Sequence, residues 1–244
     1  MRIISLVPSL TEYLWALGLE QEVVGITKFC VHPKQWWREK TRVGGTKHVN
    51  FDTIQHLQPT LIIANKEENT KEDIEWLQAH YDVLLTDIST LDAAYFYLQE
   101  IGKRVGREAQ ANAMVNQVKT KFSKLGSIGK GATFLYFIWQ DPYFVVGPNT
   151  YIHALLSHFG FENYSTIERY PELQEVCSQK EGASAHPDFI FLSSEPYPFE
   201  AKHFKGIQQN FPQSKILLVD GEMCSWYGSR MLEVPGYLEQ LFAE

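Results

Sequence analysis

Short apolar runs alternate with helix-like segments along the first part of the chain. The runs are rich in isoleucine, valine and leucine, which is typical of strands buried on both faces in a parallel sheet. Predicted strands cover residues 3–7, 23–27, 60–64 and 82–86. Because segments with helical spacing separate these strands, the order predicts a parallel sheet with helices on its faces.

Polar residues predict where these helices begin. Ser9 and Glu12 have the spacing of a capping box, and so do Asn69 and Glu72. Asn50 is a favoured N-cap residue for a helix that runs to residue 56. Between the starts at Ser9 and Asn50, the stretch "FCVHPKQWW" breaks the pattern. It is predicted to be a loop that exposes chemically functional side chains.

A long helix is predicted in the middle of the chain. Residues 91–125 carry apolar side chains at helical spacing and show no strand pattern. Gly102 and Gly106 are expected to split this segment, because glycine weakens a helix. The part that begins at Arg107 would then be one rigid helix of about 30 Å, from a rise of 1.5 Å per residue.

The second half of the chain repeats the alternation. Strands are predicted over residues 132–138, 189–192 and 216–219, with a helix over 151–158. In "QPTLIIANKEEN" and "HPDFIFLSSEPY", a proline, a strand and a glutamate follow one another at equal spacing. We therefore predict an α/β fold of two Rossmann-like lobes, each with a central, mostly parallel sheet. The lobes are residues 1–106 and 127–244, and one long helix over residues 107–126 joins them.

Composition narrows the classes of function. The 244 residues allow two compact lobes or one large α/β unit. No apolar run reaches the ~18 residues of a transmembrane helix, and the net charge of −7 argues against a nucleic-acid partner. Three cysteines without close spacing indicate neither a disulfide framework nor a metal motif. The first residues lack a signal-peptide pattern, which leaves a cytoplasmic location and an exported, processed protein both open.

Candidate site residues follow the predicted strands, since open parallel sheets bind ligands beyond the carboxyl ends of their strands. Most of them are aromatic or hydrogen-bonding residues, which favours a binding site over a pairing of nucleophile and base. The candidates are Ser9, Phe29, His32, Thr46, His48, Asn65, Trp139, Tyr143, Trp226, Tyr227 and Arg230.

Alternatives remain open at several of these positions. Cys30 and His32, with Glu67, could serve a metal- or thiol-dependent enzyme, or they could be structural residues. Trp139 and Trp226 could pack in a core instead of lining a cleft. A cytoplasmic ligand sensor or scaffold is a further alternative to a transport protein.

Several stretches resemble a known family. "RIISLVPSLTEYLWALGLEQEVVGIT", "VGGTKHVNFDTIQHLQPTLIIAN" and "WQDPYFVVGPNTYIHALLSHFGFENY" are similar to the class III, helical-backbone substrate-binding proteins of ABC importers. Within that cobalamin and iron-siderophore group, the likeness is nearest the cobalamin-binding branch. The resemblance implies a bilobal, non-enzymatic periplasmic protein with no intrinsic cofactor, which holds a bulky chelate between its lobes.

The resemblance also implies roles for individual residues. Phe29 and Trp226 match aromatic cleft positions, whereas Thr46 and Asn65 stand where cobalamin binders have tryptophan. The ligand would be a corrinoid, a siderophore or haem, and the partner would be an ABC permease that docks a monomer. Surface glutamates dock such proteins on the permease, and the matching candidates are Glu68 or Glu72 in the first lobe and Glu172 or Glu175 in the second.

Overall fold

The computed structural model describes residues 1–179 and 186–243, and these residues form two units. The first unit contains Met1–Ile88, Asp92–Val118 and Tyr227–Leu232. The other described residues make up the second unit. A short segment near the end of the chain thus belongs with the first unit, although the sequence assigned it to the second lobe. The predicted lobe boundaries stay a prediction.

The first unit contains a five-stranded sheet in which every neighbouring pair is parallel. Its strands are β1 Ile3–Ser5, β2 Val23–Ile26, β3 Thr41–Arg42, β4 Leu61–Asn65 and β5 Val83–Thr86. The spatial order is β3-β2-β1-β4-β5. The order reverses between β1 and β4, and ligands of open α/β sheets bind at such a point.

Helices cover this sheet and bury its aliphatic faces. They are α1 Pro8–Ala16, α2 Lys34–Glu39, α3 Phe51–Leu57, α4 Lys71–His80 and α5 Leu91–Arg104. A core cluster joins the strands to α3 and α4 through Ile4, Ile62, Ile54 and Leu77. The predicted exposed loop "FCVHPKQWW" is in part α2, and its Trp36 is fully buried. The sequence pattern did not predict this short helix, because the proline and the aromatic residues interrupt any helical spacing of apolar positions.

One of the three predicted helix starts is confirmed. The Asn50 side chain accepts a hydrogen bond from the backbone N–H of Thr53 at 2.8 Å. The capping box at Ser9 is wrong, because α1 begins at Pro8 with Val7 as its N-cap and no side-chain cap. Proline suits the first helical position, since it has no N–H to leave unpaired.

The third predicted start is displaced by one residue. Thr70 caps α4, and its hydroxyl accepts from the Asp73 N–H at 3.4 Å. Asn69 does not cap the helix, because its side chain bonds to the loops beside it, as described below.

The long central helix is present as α6, Glu108–Leu125. Residues up to Val118 belong to the first unit and later ones to the second, so the helix connects the two units as predicted. Gly106, at φ 68°, separates α5 from α6. Gly102 lies inside α5 instead of ending it. A Cβ there would lie 2.2 Å from that of Ala111, so the missing side chain lets the two helices approach closely.

The second unit is built on another mostly parallel sheet. Its strands are β6 Thr133–Trp139, β7 Phe144–Val145, β8 Glu162–Asn163, β9 Phe189–Ser193 and β10 Lys215–Val219. The order is β10-β9-β6-β7, with β8 also paired to β6, and only β7 is antiparallel among the described strands. One parallel and one mostly parallel sheet confirm the predicted fold class.

The helices of the second unit are α7 Tyr151–His158, α8 Leu173–Gln179, α9 Phe204–Asn210, α10 Gly221–Ser225 and α11 Val234–Phe242. Only α7 was predicted from the sequence. Short 3₁₀ turns occur at Ala201–His203 in this unit and at Ser229–Leu232 in the first unit. Among the described residues, none of the helices has both the length and the apolar content needed to cross a bilayer.

The close packing of α5 on α6 gives a testable expectation. Replacing a helical glycine by alanine normally stabilises a protein by up to about 1 kcal/mol. For Gly102→Ala we expect the opposite sign, a loss of about 1–3 kcal/mol, because the new methyl group would overlap Ala111. Urea unfolding followed by circular dichroism measures the change.

Gly236→Ala in α11 is the matched control. A Cβ at Gly236 would have no neighbouring atom within 4 Å, so we expect stabilisation by about 0.5 kcal/mol. A Gly102→Ala protein as stable as the wild type would contradict the close packing.

Candidate functional site

Asn65 organises the loop that follows β4. Its Oδ1 accepts hydrogen bonds from the backbone N–H groups of Glu67 at 2.8 Å and Glu68 at 3.2 Å. Its Nδ2 donates to Thr86 Oγ1 at 3.0 Å, at the end of the neighbouring strand β5. The side chain is buried, and it holds the carboxyl ends of two strands together.

Asn69 extends this network to the loop after β3. Its Oδ1 accepts from the Asn65 N–H at 2.9 Å, and its Nδ2 donates to the Thr46 carbonyl at 2.9 Å. Thr46 and Asn65 are both buried. Thr46 and Asn65 are therefore parts of the hydrogen-bond network that holds these loops together. The ligand-binding role given to them stays a prediction.

Phe29 is an exposed aromatic side chain in the loop that follows strand β2. It follows β2, is 51% exposed, and Lys28 Nζ lies 5.1 Å from its ring centroid. A Cβ at Gly45 would lie 3.3 Å from Phe29 Cε2, so the ring edge rests against the Gly44–Gly45 turn. His32 is half-buried and His48 is exposed. Phe29 thus offers an apolar face that is backed by a tight turn.

Cys30 lies in the interior beside this loop. Its Sγ is 3.1 Å from Thr11 Oγ1 and 3.2 Å from Thr27 Oγ1. Burial raises the pKa of the thiol, although the hydrogen bonds from the two threonines act in the opposite direction. A buried and protonated thiol is a poor nucleophile and a poor metal ligand. Ser9, at the start of α1, is also buried.

Arg230 forms an ion pair within the first unit. Its Nε and Nη2 donate to the two carboxylate oxygens of Glu12 at 3.0 and 2.6 Å. Both side chains are mostly buried. The pair fastens segment Tyr227–Leu232 to α1, where Gly228, at φ 117°, approaches Tyr13 closely. Since Glu12 already pairs with the guanidinium, a ligand role for Arg230 stays a prediction.

The two predicted tryptophans of the second unit differ in exposure. Trp139, at the end of β6, is 43% exposed, and its ring packs edge to face against Tyr197 at 5.9 Å between centroids. Trp226 is only 7% exposed, and its Nε1 donates to Glu195 Oε1 at 2.9 Å. Tyr227, the next residue, is buried and belongs to the first unit.

Tyr143 and Glu172 lie together in a groove of the second unit. The groove has a volume of about 520 Å³, and Asp141, Tyr164 and Phe211 also line it. The backbones of Phe144 and Glu172 form an antiparallel bridge beside it. The structure therefore brings a predicted ligand residue and a predicted docking residue into the same groove, and both roles stay predictions.

The other docking candidates differ in their access to solvent. Glu72, in the first turn of α4, and Glu175, in the first turn of α8, are exposed. Glu68 is partly buried, and burial raises the pKa of its carboxyl group, whereas nearby Lys47 acts in the opposite direction. Glu72 is therefore better placed than Glu68 to meet a partner.

Sequence reasoning missed Glu12, Asn69 and Glu195 as organisers of the site. Glu195 carried one signal, because its spacing from the preceding proline repeats that of Glu67. Glu12 and Asn69 were noticed only as parts of capping patterns.

Across residues 1–179 and 186–243, no group of three or more His, Cys, Asp or Glu side chains is arranged to hold a metal ion.

Three known proteins show how far similarity extends. The sequence is 28% identical to an uncharacterized ABC transporter substrate-binding lipoprotein, YvrC, of Bacillus subtilis, over 64% of this chain and 52% of that protein. It is 24% identical to a vitamin B12-binding protein of Pectobacterium carotovorum, over 80% of this chain and 72% of that protein. The matched region thus spans about half of the Bacillus protein.

The fold is also similar to that of a solved structure. A periplasmic haem-binding protein, RhuT, from Roseiflexus sp. RS-1 in its apo form matches with a TM-score of 0.77 at 20% identity. The match covers 99% of this chain and 97% of that one. It confirms the two-unit α/β architecture.

Family membership follows from a match over most of the sequence. Residues 3–217 match the family described as periplasmic binding protein, from the first residue of β1 into β10. This match confirms the resemblance seen in the sequence and agrees with the expectation of a binding protein instead of an enzyme. The chain belongs to the periplasmic binding protein family.

Proposed function

We propose that this protein captures a metal chelate and delivers it to an ABC permease. The observation that carries the proposal is a pair of exposed aromatic rings: Phe29, which follows strand β2, and Trp139, the last residue of β6. Each ring rests on a fixed support, the Gly44–Gly45 turn and Tyr197 respectively. Rings held in this way offer flat apolar surfaces at little entropic cost on binding.

A chelate with a large flat body suits such surfaces. Corrinoids and haem present macrocycles of this kind, and the family of the chain and the names of its relatives favour the same class. Hydrogen bonds to the polar rim of the ligand would come from His32 and His48, which lie in the loops beside Phe29. Each support is formed by contacts within the chain itself, so binding should need little rearrangement of the loops.

Thiol chemistry is not favoured by the environment of Cys30. An enzyme that used Cys30, His32 and Glu67 would need an ionisable and accessible thiol. Cys30 is fully buried and its pKa is raised. The buried thiol therefore supports a structural role, in which it fills space and bonds to Thr11.

The proposed partner and location follow from the same family. A binding protein of an importer works outside the cytoplasm and meets a permease at its membrane surface. We propose that Glu72 on the first unit, which is exposed, and Glu172 on the second, which is partly buried, pair with basic residues of the permease. Ion pairs at such an interface weaken as the salt concentration rises.

Binding of a chelate can be measured directly. We expect isothermal titration calorimetry to detect tight binding of cyanocobalamin, haemin or a ferric siderophore. Phe29→Ala and Trp139→Ala should each weaken that binding by about 1–3 kcal/mol, because each removes an aromatic contact surface.

Phe96→Ala is the control for loss of an exposed aromatic ring. Phe96 lies on α5, outside the loops that carry the candidate residues, and is 57% exposed; its replacement should leave the affinity unchanged. Absence of binding to all three probes by the folded protein would refute the proposed function. Equal losses in all three variants would remove Phe29 and Trp139 from the site.

Alkylation tests the role given to Cys30. At pH 8 an ordinary thiol, with a pKa near 8.5, is partly ionised. Burial raises the pKa of Cys30, and it raises that of Cys224 to about 12. Burial also raises the pKa of Cys177, but this thiol is exposed whereas the other two are buried. We therefore expect iodoacetamide to modify Cys177 in the native protein, and to reach Cys30 and Cys224 only after unfolding. Peptide mass spectrometry identifies the modified cysteines. Rapid labelling of Cys30 in the native protein would contradict the structural role and would favour the alternative of a thiol-dependent enzyme.

A further inference from the structure

The Glu195 side chain links the loop beyond strand β9 to the end of helix α10. It lies two residues after the strand, and its Oε1 accepts two hydrogen bonds. One comes from Trp226 Nε1 at 2.9 Å and the other from Ser225 Oγ at 3.1 Å. Hydrogen bonds to an ionised acceptor are stronger than those between neutral groups. The carboxylate therefore ties the end of α10 to the loop after β9.

The surroundings hold Glu195 in this position. Its backbone N–H donates to Ser193 Oγ at 3.4 Å. Gly221, at the start of α10, leaves the space that the side chain fills: a Cβ there would lie 2.4 Å from Glu195 Cγ. The Gly221 N–H also donates to Ser194 Oγ at 2.9 Å. Contacts with Ser193 and Gly221 thus hold the backbone and the Cγ of Glu195 in place.

The indole itself sits where the chain leaves the second unit. Trp226 is the first residue after α10, and the next residue already belongs to the first unit. Its backbone N–H bonds to the Glu222 carbonyl at 3.0 Å, but this contact does not determine the rotation of the side chain. The bond from Nε1 to Glu195 constrains the ring, since it anchors the far edge of the indole.

The same loop supports the other tryptophan of this unit. Tyr197 lies two residues beyond Glu195, and its N–H donates to the Ile138 carbonyl at 3.2 Å. Its ring meets that of Trp139 edge to face. The segment from Glu195 to Tyr197 therefore contacts both tryptophans that the sequence pointed to.

We propose that Glu195 is a positioning residue for ligand binding, which acts by holding the Trp226 indole through its N–H group. This inference rests on the proposed function, since it makes Trp226 part of the ligand-binding wall. Glu195 need not touch the ligand. Its contribution is a ring orientation that exists before the ligand arrives.

A double-mutant cycle tests the coupling. The affinity for whichever chelate binds the wild type is measured for Glu195→Ala, Trp226→Phe and the double variant. We expect Glu195→Ala to weaken binding about tenfold when Trp226 is present, the usual effect of losing a hydrogen bond to a charged group. In the Trp226→Phe background, which has no indole N–H, the same change should cost less than about twofold.

Glu195→Gln is the conservative variant. Its amide oxygen can still accept from the indole, so we expect affinity within about threefold of the wild type. Equal losses from Glu195→Ala in both backgrounds would overturn the proposal, because the residue would then act without Trp226. A Gln variant as weak as the Ala variant would overturn it as well.

A measurement on the ligand-free protein separates this proposal from the proposed function. Acrylamide quenching of Trp226, obtained by subtracting the signal of Trp226→Phe, should increase in Glu195→Ala and stay near the wild-type value in Glu195→Gln. If no chelate binds the wild type, the proposed function fails, and quenching alone decides whether Glu195 holds the indole. Unchanged quenching in Glu195→Ala would show that it does not.

Discussion

Two buried asparagine side chains determine the shape of the first unit beyond its strands. Backbone groups that leave a sheet lose their ladder partners and must be satisfied in another way. Asn65 accepts from two N–H groups of its own loop, and Asn69 bonds to the loop after β3. Each asparagine also contacts the other, since the Asn65 N–H donates to Asn69 Oδ1. The loops around the switch point are therefore fixed by the chain itself.

The second unit has a similar hydrogen bond beyond one of its strands, made by other residues. Ser193 ends β9 as Asn65 ends β4, and each side chain accepts from the N–H two residues further along. These N–H groups belong to Glu67 and Glu195, the glutamates of the internal repeat. Tyr136 OH lies 3.0 Å from Ser193 Oγ and fixes it against β6. The repeat in the sequence thus corresponds to a repeated loop geometry, and in the second unit Glu195 bonds to a tryptophan.

The sequence predicted the long and regular elements of the fold well. Strands such as β4 and β9 have continuous apolar runs, and α6 has sustained helical spacing, so local patterns were sufficient. Helix α2 and the two-residue strands were missed because they are too short to show a period. The capping box at Ser9 failed because Pro8 already begins the helix. The one at Asn69 failed because its Oδ1 accepts from the Asn65 N–H instead of from its own helix.

The candidate site was less predictable, because exposure and pairing depend on contacts distant in sequence. Arg230 pairs with Glu12, 218 residues away, and no local pattern indicates this. Trp139 and Trp226 look alike as aromatic residues after strands, yet one is exposed and the other bonds to Glu195. The sequence pointed to loops beyond the strands, whereas only the structure shows which of their side chains face solvent.

The central claim is that the binding loops are fixed before any ligand arrives, and amide hydrogen exchange of the ligand-free protein tests it most directly. The N–H groups of Asn65, Glu67 and Asn69 are hydrogen-bonded within the loop, so they should exchange far more slowly than an unstructured peptide. Addition of ligand should change these rates little, and Asn69→Ala should remove the protection at Asn65. Exchange at unstructured rates that becomes slow only with ligand would contradict the account.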